Sequence, residues 1–98
     1  MSKFGELIDV KIPVLLSFYT DWSDKSTAMH PILREVAAAL GNKAKVIKID
    51  VDKNKELSEA LKVKDLPSLI IYMNGEMQWR QSGQLDANTL ITKLKYYA

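Results

Sequence analysis

Residues 18–31 read Phe-Tyr-Thr-Asp-Trp-Ser-Asp-Lys-Ser-Thr-Ala-Met-His-Pro and form the junction between a strand and a helix. Upstream, Val14 to Tyr19 is mostly apolar and rich in strand formers, as expected of a strand covered on both faces. Downstream, Met29, Ile32, Leu33, Val36, Ala37 and Leu40 recur at helical spacing and define one apolar stripe, which Gly41-Asn42 ends. Ser23 stands at the joint, where its hydroxyl is suited to accept from a free backbone N–H of the first turn. Pro31 falls inside the helical stretch. It lacks an N–H and its ring meets the preceding turn, which predicts a kink there.

Working outward, Phe4, Leu7 and Ile8 have helical spacing and suggest a short opening helix, with Pro13 at the entry to the next element. Lys45 to Val51 reads as a second strand, parallel to the first through a right-handed crossover. Asp50, Asp52 and Asn54 lead into a short helix with Leu57, Ala60 and Leu61 inward. Ser68 to Met73 is a third strand, and Asn74-Gly75 is the strongest turn signal, because a type I′ turn needs positive φ at both central positions. Glu76 to Ser82 returns antiparallel, with Met77 and Trp79 on one face and Glu76, Gln78 and Arg80 on the other. Asp86 caps a last helix whose stripe is Leu90, Ile91, Leu94 and Tyr97. The order α-βαβ-α-ββα is that of an α/β fold: a four-stranded mixed sheet, two parallel strands plus an antiparallel hairpin, with helices on both faces.

At 98 residues the chain is expected to be one domain, 1–98. A chain this long buries somewhat over ~60% of its unfolded surface, enough for one core without staples. It has no cysteine, which excludes disulfides and thiolate catalysis. Fourteen basic against 12 acidic residues give +2, no field for nucleic acid. No run approaches the ~20 apolar residues of a membrane span, and the first residues lack the apolar core of a signal peptide, so a cytoplasmic location is the expectation. The single histidine, His30, has no partner set for a metal. Asp50 and Asp52 lack a third ligand and read as acids of a strand-to-helix turn. Trp79, Tyr96 and Tyr97 are expected to pack against neighbours.

From about Val14 to its end the chain resembles the thioredoxin family. The resemblance rests on the strand before Trp22, the frame Ser23–Ser26, Pro31, the run Lys-Ile-Asp-Val-Asp at 48–52, Leu66-Pro67-Ser68, Asn74-Gly75 and Gly83, in that order. It implies a thioredoxin-like fold, with the family's extra first strand absent. It also implies that Ser23 and Ser26 occupy the positions of the two catalytic cysteines. Thiol–disulfide exchange needs a thiolate to attack and a second thiol to resolve. A serine hydroxyl is a far weaker acid and forms no exchangeable S–S bond, so there is no catalytic residue as written. Asp24-Lys25 replaces the usual Gly-Pro between the cysteines. Ser17 stands where the family buries an aspartate, and Lys48 matches that aspartate's lysine partner.

Pro67 resembles the family's cis-proline, beside which an extended segment pairs with the backbone. By resemblance, Trp22, Leu66, Pro67, Gly83 and Gln84 line a shallow peptide-binding patch. Three functions stay open. One is a redox-inactive binding module holding protein or peptide segments at that patch. A second is a thiol–disulfide oxidoreductase whose two cysteines were replaced by serine. The third is an assembly subunit using another surface, such as the Trp79 hairpin. No cofactor or metal is expected, no nucleic acid or membrane partner, and a monomer.

Overall fold

One sheet with two apolar faces organises the chain. The computed structural model describes residues 3–98. Its elements are α1 (Lys3–Ile8), β1 (Val14–Tyr19), α2 (Asp24–Thr27), α3 (Met29–Leu40), β2 (Lys45–Asp50), α4 (Lys55–Ala60), β3 (Ser68–Met73), β4 (Glu76–Ser82) and α5 (Ala87–Tyr97). The sheet order is β2-β1-β3-β4, with β1 and β2 parallel and the other pairs antiparallel. This is the thioredoxin-like α/β arrangement expected, and no strand precedes β1 among the described residues.

Alternation along the central strands divides the core. Leu15, Leu69 and Ile71 point to the side covered by α3 and α5, where they meet Met29, Leu33, Val36, Leu90 and Leu94. Leu16, Phe18, Ile70 and Tyr72 point to the other side, where Phe4, Leu7, Leu57 and Leu61 pack on them. Phe4 meets the Tyr72 ring edge-on at 5.5 Å. β1 and β3 are buried along almost their whole length, which is why their sequences are continuous apolar runs. Asn74 and Gly75 carry φ of 55° and 79°, as the hairpin turn requires. Their N–H groups donate to the carbonyls of Val10 (2.8 Å) and Ile8 (3.0 Å), tying the opening segment to the hairpin.

The structure departs from the sequence pattern in four places. The helix that was expected to kink at Pro31 is instead broken at Ala28, between α2 and α3. Pro31 sits in the first turn of α3, where it can offer no N–H to Thr27 and its ring crowds that carbonyl, so the ladder stops there. A bulge between Ile71 and Tyr72 pairs Ile71 with Trp79 and Tyr72 with Met77. The extra residue, Gln78, reverses the alternation, so Met77 and Trp79 lie on opposite faces and not on one. Trp79 packs on the α3/α5 side, Lys93 Nζ lies 5.5 Å from its ring centroid, and the Tyr97 hydroxyl donates to the Gln78 carbonyl at 3.3 Å. Ala37 and Ala60, expected inward, are exposed, and Ser58 is the buried residue of α4. An alanine matches an apolar stripe by composition but adds little burial to hold it there.

Candidate functional site

β1 delivers the chain to the junction, and backbone hydrogen bonds fix the turn at its end. The Ser23 N–H donates to the Thr20 carbonyl at 3.2 Å. Ser23 is extended (φ −101°, ψ 104°), as an N-cap must be, and its Oγ accepts from the Ser26 N–H at 3.4 Å. Ser26 is fully buried, at 0% exposure. Its Oγ accepts from the Thr20 N–H at 3.2 Å, and its single proton has the carbonyls of Thr20 (3.2 Å) and Ser23 (3.0 Å) to choose between. This hydroxyl completes the backbone bonding of the turn and does not face a ligand. The two serines therefore differ: Ser23 stands half-buried at the rim, and Ser26 is structural.

Among the described residues no activating group is bonded to either hydroxyl. The His30 imidazole stacks edge-on against Tyr19 with centroids 4.7 Å apart, and its Nε2 has no hydrogen-bond partner among the described protein atoms. Burial, then the charges of Lys48 and Arg34, push His30 below its ordinary value, and Asp21 opposes this more weakly. The ring is thus neutral at neutral pH. Ser17 is buried in the middle of β1, beside Lys48 of β2 in the parallel register. Its hydroxyl supplies none of the charge a carboxylate would bring to that place.

Trp22 is 74% exposed, and its Nε1–H donates to Asp52 Oδ2 at 3.2 Å. Asp52 is held in turn, because Asp50 Oδ1 accepts from the N–H groups of Asp52 (2.9 Å) and Lys53 (3.3 Å). These acids form a turn, and among the described residues no cluster of His, Asp and Glu could hold a metal ion.

The Leu66–Pro67 peptide bond is cis. The Gly83 N–H donates to the Pro67 carbonyl at 2.8 Å, and Gln84 Nε2 donates to the Lys25 carbonyl at 3.0 Å. These contacts draw the β3 entry, the β4–α5 loop and α2 around a depression of about 540 Å³, lined by Lys25, Asp65, Leu66, Pro67, Ser82, Gly83 and Gln84. Four of the five patch residues expected from sequence line it together. Trp22 is not among them, being turned to Asp52. Lys25, Asp65 and Ser82 were missed. Their signal was adjacency, since each lies within two residues of a position already singled out. A second depression of about 560 Å³ lies along the outer side of α5, lined by Asn88, Thr92 and Tyr96 among others, and shares no residue with the junction.

Known proteins resemble the chain in sequence and in fold. A sequence model of the family described as Thioredoxin matches residues 1–96, further toward the start than the motifs alone reach. The chain is 39% identical over 95 residues to Thioredoxin Y, chloroplastic, of Oryza sativa subsp. japonica, covering 96% of this chain and 56% of that protein. It thus spans little more than half the length of that relative. It is 33% identical over 85 residues to a thioredoxin-like protein of Synechocystis, covering 87% of this chain and 81% of the other. Among solved structures, a mutant thioredoxin from Halobacterium salinarum NRC-1 superposes with a TM-score of 0.88 at 28% identity, covering 99% of this chain and 84% of that one. By its sequence, its sheet and its junction, the chain belongs to the thioredoxin family and lacks both of the family's active-site cysteines.

Proposed function

We propose that this chain is a redox-inactive member of its family that binds extended peptide or protein segments at the Leu66–Pro67 depression. The observation that carries the reading is the contrast between the two halves of the site. Where the sulfurs would be, both hydroxyls are engaged with the backbone, and the inner one is fully buried. Next to them an open depression, with apolar and polar groups and an exposed tryptophan at its side, needs no sulfur to receive a chain. Binding would come from main-chain pairing beside Pro67 and from contact with Leu66 and Gly83.

A second reading, an oxidoreductase whose thiols were exchanged for serines, is favoured by the identity to proteins named thioredoxin. One experiment separates the two. Ser23→Cys with Ser26→Cys is made together and assayed for reduction of insulin disulfides by dithiothreitol. A folded but silent double variant supports the binding module, with Ser17 and Asp24-Lys25 as the remaining departures. Turnover at the rate of an ordinary thioredoxin supports the second reading.

A further inference from the structure

The helix break leaves one backbone carbonyl over at the wall of the depression, and a distant side chain takes it. In an unbroken helix the Met29 N–H would donate to the Lys25 carbonyl. The break at Ala28 separates Met29 from α2, and the Ala28 N–H itself goes back to the Asp24 carbonyl at 2.9 Å. The Lys25 carbonyl is thus one of the orphans that a helix end creates. Gln84 Nε2 donates to it at 3.0 Å from the β4–α5 loop, 59 residues along the chain. Among the described residues this is the one hydrogen bond between α2 and that loop. Both of its ends line the depression. The loop is anchored on either side of Gln84, by the Gly83 N–H on the Pro67 carbonyl and by Leu85 on the α3/α5 core. Neither anchor reaches α2.

We infer that Gln84 is a positioning residue of the peptide site: by tying the β4–α5 loop to the Lys25 carbonyl it sets the width of the depression before a segment arrives. This rests on the peptide-binding reading above and adds to it a residue that acts through another group. With the tie in place the two walls are ordered in the free protein, and a bound segment does not lose affinity to ordering them. Without it the α2 wall loses its one bond to the loop, while Gly83 and Leu85 still hold the loop to the rest of the fold. Gln84 is exposed, so the effect is that of one ordinary hydrogen bond and the fold does not depend on it.

The test uses two variants and one uncharged probe, the capped nonapeptide Ser-Ser-Thr-Val-Leu-Val-Thr-Ser-Ser, whose centre favours an extended chain. Gln84→Met keeps the length and neutrality of the side chain and removes the donor. Gln84→Lys keeps a donor. Binding is read from the Leu66 and Gly83 amide signals in proton–nitrogen NMR titrations, with the fold of each variant checked by circular dichroism. Gln84→Met should bind the peptide about three- to tenfold more weakly than the parent. Gln84→Lys should stay within about twofold of the parent, a rescue that follows the donor and not the shape of the side chain. Parent-like or tighter binding by Gln84→Met, or Gln84→Lys as weak as Gln84→Met, overturns the inference and leaves the peptide-binding reading standing. No shift of either amide signal in the parent overturns both.

Discussion

Replacing Ser26 by alanine tests whether the inner hydroxyl is structural. Thr20 and Ser26 are both buried, and the Thr20 amide has Ser26 Oγ as its acceptor at 3.2 Å. Removing that oxygen strands a buried donor, a change that costs about 1–3 kcal/mol. Alanine recovers roughly 0.5 kcal/mol through its better helix propensity, leaving a net loss of about 0.5–2.5 kcal/mol. For a domain of this size that lowers Tm by roughly 2–20 °C. Ser23→Ala is the internal control. It removes a cap whose bond is long, at 3.4 Å, while the Ser26 N–H keeps the Ser23 carbonyl at 3.1 Å. Its cost should be near the low end for caps, about 0.5 kcal/mol. Urea unfolding of both variants should give midpoints in the order parent, Ser23→Ala, Ser26→Ala, with unchanged slopes. Amide exchange at Thr20 should accelerate in Ser26→Ala alone. A structural role for the inner hydroxyl is refuted if Ser23→Ala is the costlier change, or if Ser26→Ala stays within about 0.5 kcal/mol of the parent.

Two more substitutions probe the same neighbourhood. His30 sits below its ordinary value of 6.5 in the folded state, through burial first and then Lys48 and Arg34, so the unfolded chain takes up its proton more readily. The sign is therefore loss of stability as pH falls from 7 toward 5; urea midpoints should drop more steeply over that window in the parent than in His30→Gln, and equal slopes would contradict this. Gly83 has φ +100° and nothing within 4 Å of a Cβ placed there, so Gly83→Ala meets free space but a strained backbone. It should destabilise by about 1–2 kcal/mol in urea unfolding, and a neutral result would show that the loop relaxes to another conformation.

The parts of the fold that were legible in sequence are those where one local rule dominates. β3 and β4 were delimited at Ser68–Met73 and Glu76–Ser82 because a turn with two positive-φ positions separates an apolar run from an alternating one. The caps at Ser23 and Asp86 were legible for the same reason, and both bond as expected, with Asp86 accepting from the Thr89 N–H at 2.9 Å. The bulge at Gln78 was not legible, because it depends on how β4 meets β3 and on the Tyr97 hydroxyl that takes up the freed carbonyl. At the site, Leu66, Pro67, Gly83 and Gln84 came together as expected, since one short loop and one strand end carry them. Trp22 turned toward Asp52, and Gln84 reached the Lys25 carbonyl. These contacts span 30 and 59 residues of chain, and no local pattern encodes them.

Oxygen at positions 23 and 26 is more than the removal of sulfur. A thiol is a weak hydrogen-bond donor and acceptor, whereas the Ser26 hydroxyl serves the Thr20 amide and a carbonyl at once. The substitution thus strengthens the backbone bonding of the turn at the place where exchange chemistry would require an ionisable sulfur. Ser17 differs from Ser26: its Oγ is buried with no hydrogen-bond partner among the described residues, so it adds no bond to the strand, and it brings none of the charge that a buried carboxylate beside Lys48 would. The depression at Leu66 and Pro67 is built by different bonds, from Gly83 to Pro67 and from Gln84 to Lys25, and none of these passes through a position where sulfur has been lost. Shape at the depression and reactivity at the junction thus rest on different bonds, joined through α2, whose Lys25 carbonyl holds Gln84 and whose first turn Ser23 caps.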